Sequence, residues 1–137
     1  MTTALDDKNY QALARFRYGL RKFLRFSKDY LAHHGGLTPE QYEALLALKA
    51  FAPKEGLLVG ELSERLQVKH HTAVSLADKL THRRLVRRRR GTTDRRKVYV
   101  QLTPSGSALL SRLVVGHRDV LRQLAPELVG ALRNVQD

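Results

Sequence analysis

A change in hydrophobic period divides this chain of 137 residues. Over most of its length, apolar residues recur every three or four positions, which is the spacing of an amphipathic helix. At Val98, Val100 and Leu102 they instead alternate with polar residues, as they do on a half-buried strand. One short β-segment among longer helices predicts a mainly α fold with a small β element.

Capping residues mark where several helices begin and end. The first predicted helix covers residues 9–34 and stops at Gly35 and Gly36. The second starts at Thr38-Pro39, because threonine caps free amides, proline suits the first helical position and Gln41 closes a capping box. We expect it to end before Pro53.

The last third repeats this start signal. Thr103-Pro104 opens a helix whose apolar residues again follow the helical spacing. Because proline removes a backbone donor, we expect Pro126 to interrupt this helix and residues 127–135 to form a separate short helix.

In the middle of the chain, the sequence predicts a short strand, two helices and a β-hairpin. Leu57-Leu58-Val59 has the composition of a brief strand, and residues 61–66 and 69–83 have the spacing of two helices. Residues 85–90 and 97–102 then form a β-hairpin around the turn signal Gly91-Thr92-Thr93-Asp94.

The positive charge of the chain is concentrated in this middle part. Lysine and arginine number 25 against 13 acidic residues, which leaves a net charge of +12. Residues 69–97 hold eleven of these cations and only Asp78 and Asp94, a net of +9. Neighbouring cations repel one another, so this concentration indicates a polyanionic partner whose counterions are released on binding.

A short helix, a tight connection, a second helix and a basic hairpin follow one another in the order of a winged helix-turn-helix. The second helix of that motif enters the major groove of DNA, and the hairpin, or wing, reaches phosphates or the minor groove. The predicted major-groove residues are Lys69, His70, His71, Thr72, Ser75 and Lys79, and the predicted wing residues are Arg88, Arg90, Asp94, Arg95, Arg96 and Lys97. We expect Asp94 to pair with Arg96 and aim it; a simple turn-forming role for Asp94 is the alternative.

Other classes of function find less support in the residues. The chain has no cysteine, no glycine-rich phosphate loop and no H-E-x-x-H motif, so we predict neither an enzyme nor a cofactor. Adjacent histidines point about 100° apart on a helix, so His33-His34 and His70-His71 do not chelate a metal alone. No run of apolar residues has the length of a membrane span, and no secretory leader is visible, so the expected location is cytoplasmic.

The stretch from Val59 to Leu110 resembles the MarR family of bacterial transcriptional regulators. The resemblance rests on Asp94-Arg95-Arg96 followed by Val98, Val100 and Leu102-Thr103, and on LTPEQYEALLAL upstream. It implies a single domain over residues 1–137, with residues 38–103 as the winged helix-turn-helix and residues 9–34 and 104–137 as dimerisation helices. It also implies a homodimer on a pseudo-palindromic operator, with Arg96 in the minor groove.

Two further expectations follow from the resemblance. Members of this family often bind small aromatic acids in a cleft beside the dimerisation helices, and we name Arg15, Arg17, Tyr18 and Tyr42 as wall residues of such a cleft for an aromatic or anionic effector. Arg84 stands where the family often has glycine, so its backbone must either become left-handed or end the helix differently.

The predicted function is a repressor that binds duplex DNA; a loosely specific or architectural DNA-binding protein without an effector is the alternative.

Overall fold

A computed structural model describes residues 5–135, which form five helices and one three-stranded sheet. The elements in chain order are α1 (Asp7–His34), α2 (Pro39–Phe51), β1 (Leu57–Leu58), α3 (Val59–Leu66), α4 (His70–His82), β2 (Val86–Arg90), β3 (Val98–Leu102) and α5 (Pro104–Val135). The predicted fold class, mainly α with a small β wing, is confirmed.

The predicted caps hold the helix starts. Thr38 Oγ1 accepts a hydrogen bond from the Gln41 amide at 3.2 Å, and Gln41 Oε1 accepts one from the Thr38 amide at 3.0 Å. This is the reciprocal capping box that the sequence predicts. At α5, Thr103 Oγ1 accepts from the Gly106 amide at 3.0 Å, so the second threonine-proline pair caps a helix in the same way.

The sheet has the order β1-β3-β2, with both pairs antiparallel. Leu57 pairs with Val100 and Val86 pairs with Leu102, which confirms the hairpin and the brief first strand. Val59 already belongs to α3 instead of to the strand. Since Val86 and Val100 are buried, one face of the sheet packs on the helical core.

The prediction that Pro126 interrupts the last helix is wrong. Helix α5 continues through it to Val135, so residues 127–135 are not a separate helix. Proline costs the helix one backbone hydrogen bond, but residues beyond it pack on α1: a Cβ on Gly19 would lie 2.8 Å from Leu128 Cδ2, and Ala131 is buried. Packing on both sides of the proline therefore outweighs the local rule.

The core joins these elements into one unit. Its largest fully buried side chains come from every helix and from the two longer strands: Leu31, Leu45, Leu62, Leu80, Leu113, Val86 and Val100. Gly106 lets α5 approach the start of the wing, because a Cβ there would lie 2.0 Å from the Leu85 carbonyl oxygen. Within the described residues, no helix combines the length and the apolarity needed to cross a bilayer.

Candidate nucleic-acid interface

A left-handed residue makes the connection between α3 and α4 tight. Gln67 has φ 54°, its amide donates to Glu64 O at 3.2 Å, and the Val68 amide donates to Ser63 O at 3.1 Å. This pair of bonds satisfies the last carbonyls of α3 and reverses the chain within two residues. Helix α4 therefore starts directly beside α3, in the arrangement of a helix-turn-helix.

Helix α4 buries one face and exposes the predicted polar one. Ala73, Leu76, Ala77 and Leu80 are buried, as their spacing predicts. Lys69 is the N-cap of α4, and like it the side chains of His70, His71, Ser75 and Lys79 are exposed, while Thr72 is half-buried. Five of the six predicted major-groove residues are thus accessible and Thr72 is partly so, and they begin at the helix end whose free amides favour an anion.

The tip of the wing is built around Asp94. Its carboxylate accepts hydrogen bonds from Arg96 Nε at 3.1 Å, Arg96 Nη2 at 3.2 Å and the Arg96 amide at 3.1 Å. The Arg96 guanidinium, together with the backbone bond, holds the pKa of the Asp94 carboxyl below its usual range. The carboxylate therefore stays charged at neutral pH and keeps a well exposed arginine oriented at the tip.

The predicted wing cations are not equivalent. Arg88 is bonded to Asp78 of α4, and Arg90 Nη1 donates to Arg95 O at 3.2 Å. Arg95, Arg96 and Lys97 remain exposed. The pairing of Arg88 with Asp78 connects the wing to α4 and is not among the contacts predicted from the sequence. A signal was present, because Asp78 is the only acidic residue in a strongly basic helix and hairpin before Asp94.

A second missed contact connects the end of α4 to the end of α1. Arg83 donates from Nη1 to Gly36 O at 2.9 Å and from Nη2 to Gly35 O at 3.0 Å. These two carbonyls lie just beyond the last residue of α1, where a cation is favourable. The contact spans 47 residues of sequence, so no local pattern indicates it.

Arg84 ends α4 with a left-handed backbone. It has φ 61°; its amide donates to Thr81 O at 2.9 Å, and the Leu85 amide donates to Leu80 O at 3.0 Å. Of the two outcomes expected for an arginine in place of glycine, the structure shows the strained one.

Away from the wing, a buried histidine organises the contact of α1, α2 and α5. His117 Nδ1 lies 2.7 Å from Leu113 O, and because a carbonyl only accepts, this nitrogen carries the proton. Its Nε2, 2.9 Å from Ser27 Oγ, then accepts from the hydroxyl in the neutral ring. The Tyr42 ring stacks on His117 at 4.3 Å between centroids, and burial raises the pKa of the Tyr42 phenol.

An apolar cavity of about 420 Å³ opens beside this stack. Tyr42 and His117 line it with Leu46, Leu121, Arg118 and Arg122. Of the four predicted cleft residues, only Tyr42 lies there. Arg15, Arg17 and Tyr18 are exposed on α1 and do not line this cavity, and the Tyr18 ring instead lies under Lys22 Nζ at 4.6 Å.

One histidine pair lies at the C-terminal end of α1 and the other at the N-terminal end of α4. His33 and His34 close α1, with the His34 ring 4.5 Å from that of Tyr30, and His70 and His71 open α4. Across residues 5–135, no three histidine or carboxylate side chains are grouped as metal ligands.

Comparison with known proteins identifies this arrangement. A family model described as MarR family matches residues 35–97, the part that contains α2, the helix-turn-helix and most of the wing. This stretch matches the MarR family. Over 87 residues the chain is 33% identical to the transcriptional repressor MdtR of Bacillus subtilis, a match that covers 63% of this chain and 54% of MdtR.

Solved structures of MarR-family proteins share the fold over a longer span. AbsC of Streptomyces coelicolor has a TM-score of 0.75 at 22% identity, with 93% of this chain and 84% of AbsC covered. The complex of Staphylococcus aureus MepR with DNA has a TM-score of 0.72 at 24% identity, with 82% of this chain and 81% of MepR covered. The chain thus spans about half the length of its curated relative but most of these two structures.

Proposed function

We propose that this protein is a transcriptional repressor of the MarR family that binds a pseudo-palindromic operator in duplex DNA. The observation that carries the proposal is the continuous exposed surface formed by the polar face of α4 and the cationic wing, which Arg88 and Asp78 connect. Hydroxyl, imidazole and ammonium groups on α4 suit base edges and phosphates, and Arg96 at the wing tip suits a minor groove. MdtR is a repressor and MepR forms a complex with DNA, which supports the same role here.

The proposed assembly is a homodimer with residues 9–34 and 104–137 as its dimerisation helices. Large apolar side chains remain exposed on both helices, among them Leu13, Leu20, Leu24, Val115, Leu121, Val129 and Leu132. An apolar surface of this extent is typical of an interface. A two-fold partner would cover it and present two copies of the DNA-binding surface to successive half-sites.

We place the effector site in the cavity beside Tyr42 and His117. Its walls are apolar and aromatic, while Arg118 and Arg122 supply positive charge, so a small aromatic acid fits its chemistry. Since the cavity lies between α2 and α5, a ligand there would act on the join between the winged helix and the dimerisation helices. Of the four residues predicted for the cleft, Tyr42 lines this cavity, and Arg15, Arg17 and Tyr18 do not line it.

Capture of genomic DNA fragments followed by competition binding tests the proposal. We expect fragments with a two-fold symmetric sequence, bound at about 150 mM salt at least 1000-fold more tightly than random duplex. Benzoate added to the same assay should weaken operator binding in the wild type and not in a variant with Tyr42→Ala. Equal affinity for captured and random duplex would contradict a sequence-specific repressor and favour the architectural alternative.

A further inference from the structure

The arginines of β2 lie on two different faces of the sheet. Val86, Arg88 and Arg90 alternate with Arg87 and Arg89, and the first set belongs to the face where Val86 is buried and Arg88 meets α4. Arg87 pairs in register with Gln101, and Arg89 pairs with Tyr99, on the opposite face. We call this opposite face, with Arg89, Tyr99 and Gln101, the outer face of the wing.

The loop before β1 borders the outer face. Gln101 Nε2 donates to Glu55 O at 2.7 Å, which holds the loop against the strand, and Gln101 Oε1 accepts from Arg87 Nε at 3.1 Å. Between this loop and the tip of the hairpin lies an open cleft of about 550 Å³. The cleft is lined by Lys54, Glu55, Arg89, Lys97 and Tyr99 among others.

Of the four cations that line this cleft, Arg90 donates to Arg95 O, and the other three have no hydrogen-bonding partner for their side chains in the part of the chain that the structure describes. The side chains of Lys54, Arg89 and Lys97 make no hydrogen bond or ion pair within residues 5–135. Asp94, one of the two carboxylates that line the cleft, is already bonded to Arg96. The four cations of this concave surface outnumber its two carboxylates, and a string of phosphates would relieve the repulsion among the cations.

We propose that the outer face of the wing is a second phosphate-binding surface, which holds the sugar-phosphate strand on the side of the minor groove away from α4. The inference rests on the proposed DNA binding. A hairpin whose tip enters a groove about 6 Å wide has one strand of the duplex on each side. Arg88 and α4 lie on one side, and Lys54, Arg89 and Lys97 therefore meet the backbone on the other.

Salt titration of duplex binding tests this surface. Arg89→Ala and Lys54→Ala should each lower the slope of log affinity against log salt by about 0.9, the value for one lost phosphate contact. Arg96→Ala, at the tip, should lower the slope by about one as well. Lys28→Ala removes an exposed cation from the middle of α1, away from the cleft, and should leave the slope unchanged.

Glu55→Gln provides a result that misfolding cannot imitate. This carboxylate faces the same cleft, so its removal should tighten duplex binding by about 2- to 5-fold as repulsion from the backbone disappears. Unchanged slopes for Arg89→Ala and Lys54→Ala, beside a lowered slope for Arg96→Ala, would overturn the second surface and leave the proposed function standing. A wild-type protein that does not bind duplex would overturn both.

Discussion

Arg84 has a backbone conformation that costs free energy in every residue with a Cβ. Its φ of 61° lies in the left-handed region, where a side chain costs about 1–2 kcal/mol and glycine costs almost nothing. The side chain makes no hydrogen bond or ion pair that would offset this cost within the described residues, and Thr103 Oγ1 donates to the carbonyl oxygen of Arg84 instead.

We therefore expect Arg84→Gly to raise the free energy of unfolding by about 0.5–1 kcal/mol, after the greater entropy of glycine in the unfolded chain is subtracted. Urea denaturation measures the change. The matched control is His82→Gly at the last residue of α4, where the backbone is helical and φ is not positive; it should lower the free energy of unfolding by up to about 0.5–1 kcal/mol. Loss of stability in both variants would show that the arginine side chain contributes more than its contacts indicate.

Single residues also show which part of the interface the sequence could predict. The capping of α2 by Thr38 and the pairing of Asp94 with Arg96 depend on residues two or three positions apart, and both are found as expected. The pairing of Arg88 with Asp78 depends on how the hairpin folds back over α4. The spacing of residues along the chain does not show how the hairpin lies over α4, so the sequence predicts Arg88 only as a DNA contact.

Among the elements, α5 shows the same limit. Its apolar spacing and its start at Thr103-Pro104 follow from local chemistry, whereas its continuation past Pro126 follows from the packing of Leu128 and Ala131 on α1. The expectation that proline ends a helix considers only the lost backbone hydrogen bond. It does not include the packing on α1, which is about 100 residues away in sequence. Because α1 and α5 lie near opposite ends of the chain, the residue spacing around Pro126 does not indicate that the two helices pack together.

A contact joins the end of the candidate reading helix, α4, to the end of α1. Arg83 reaches both Gly35 O and Gly36 O with a rigid two-pronged guanidinium, a geometry that lysine does not reproduce. Under the proposed function, the dimerisation helices hold α4 at the correct angle partly through this contact. Arg83 is then a positioning residue and need not touch DNA.

For this contact we expect Arg83→Lys to keep the charge but to weaken operator binding about 5- to 10-fold, without changing the salt slope. Arg83→Gln should weaken it to a similar degree, and both should lower the free energy of unfolding by about 1 kcal/mol. Fluorescence anisotropy at several salt concentrations separates the two roles. A lower slope in Arg83→Gln and a normal affinity in Arg83→Lys would instead identify a direct phosphate contact.

On the scale of the whole molecule, α1 and α5 keep large apolar side chains exposed to solvent. Leu13 is 53% exposed and Leu121 is 42% exposed, although each follows the apolar spacing of its helix. The two helices pack on each other from Gly19 beside Leu128 to Ser27 beside the buried His117. Their remaining apolar faces therefore form one continuous surface that is suited to a second copy of the chain.

Leu13→Asp and Leu121→Asp test whether that second copy is required for function. An aspartate in a desolvated interface is costly and occurs twice in a symmetric dimer, so we expect the dimer dissociation constant to rise by more than about 100-fold. A monomer carries one reading surface instead of two, so operator binding should be lost together with the dimer. Phe51→Ser is the matched control, because Phe51 is 52% exposed at the end of α2 and should leave the dimer intact. Sedimentation of a stable monomeric Leu13→Asp protein that still binds its operator would show that one copy of the winged helix suffices.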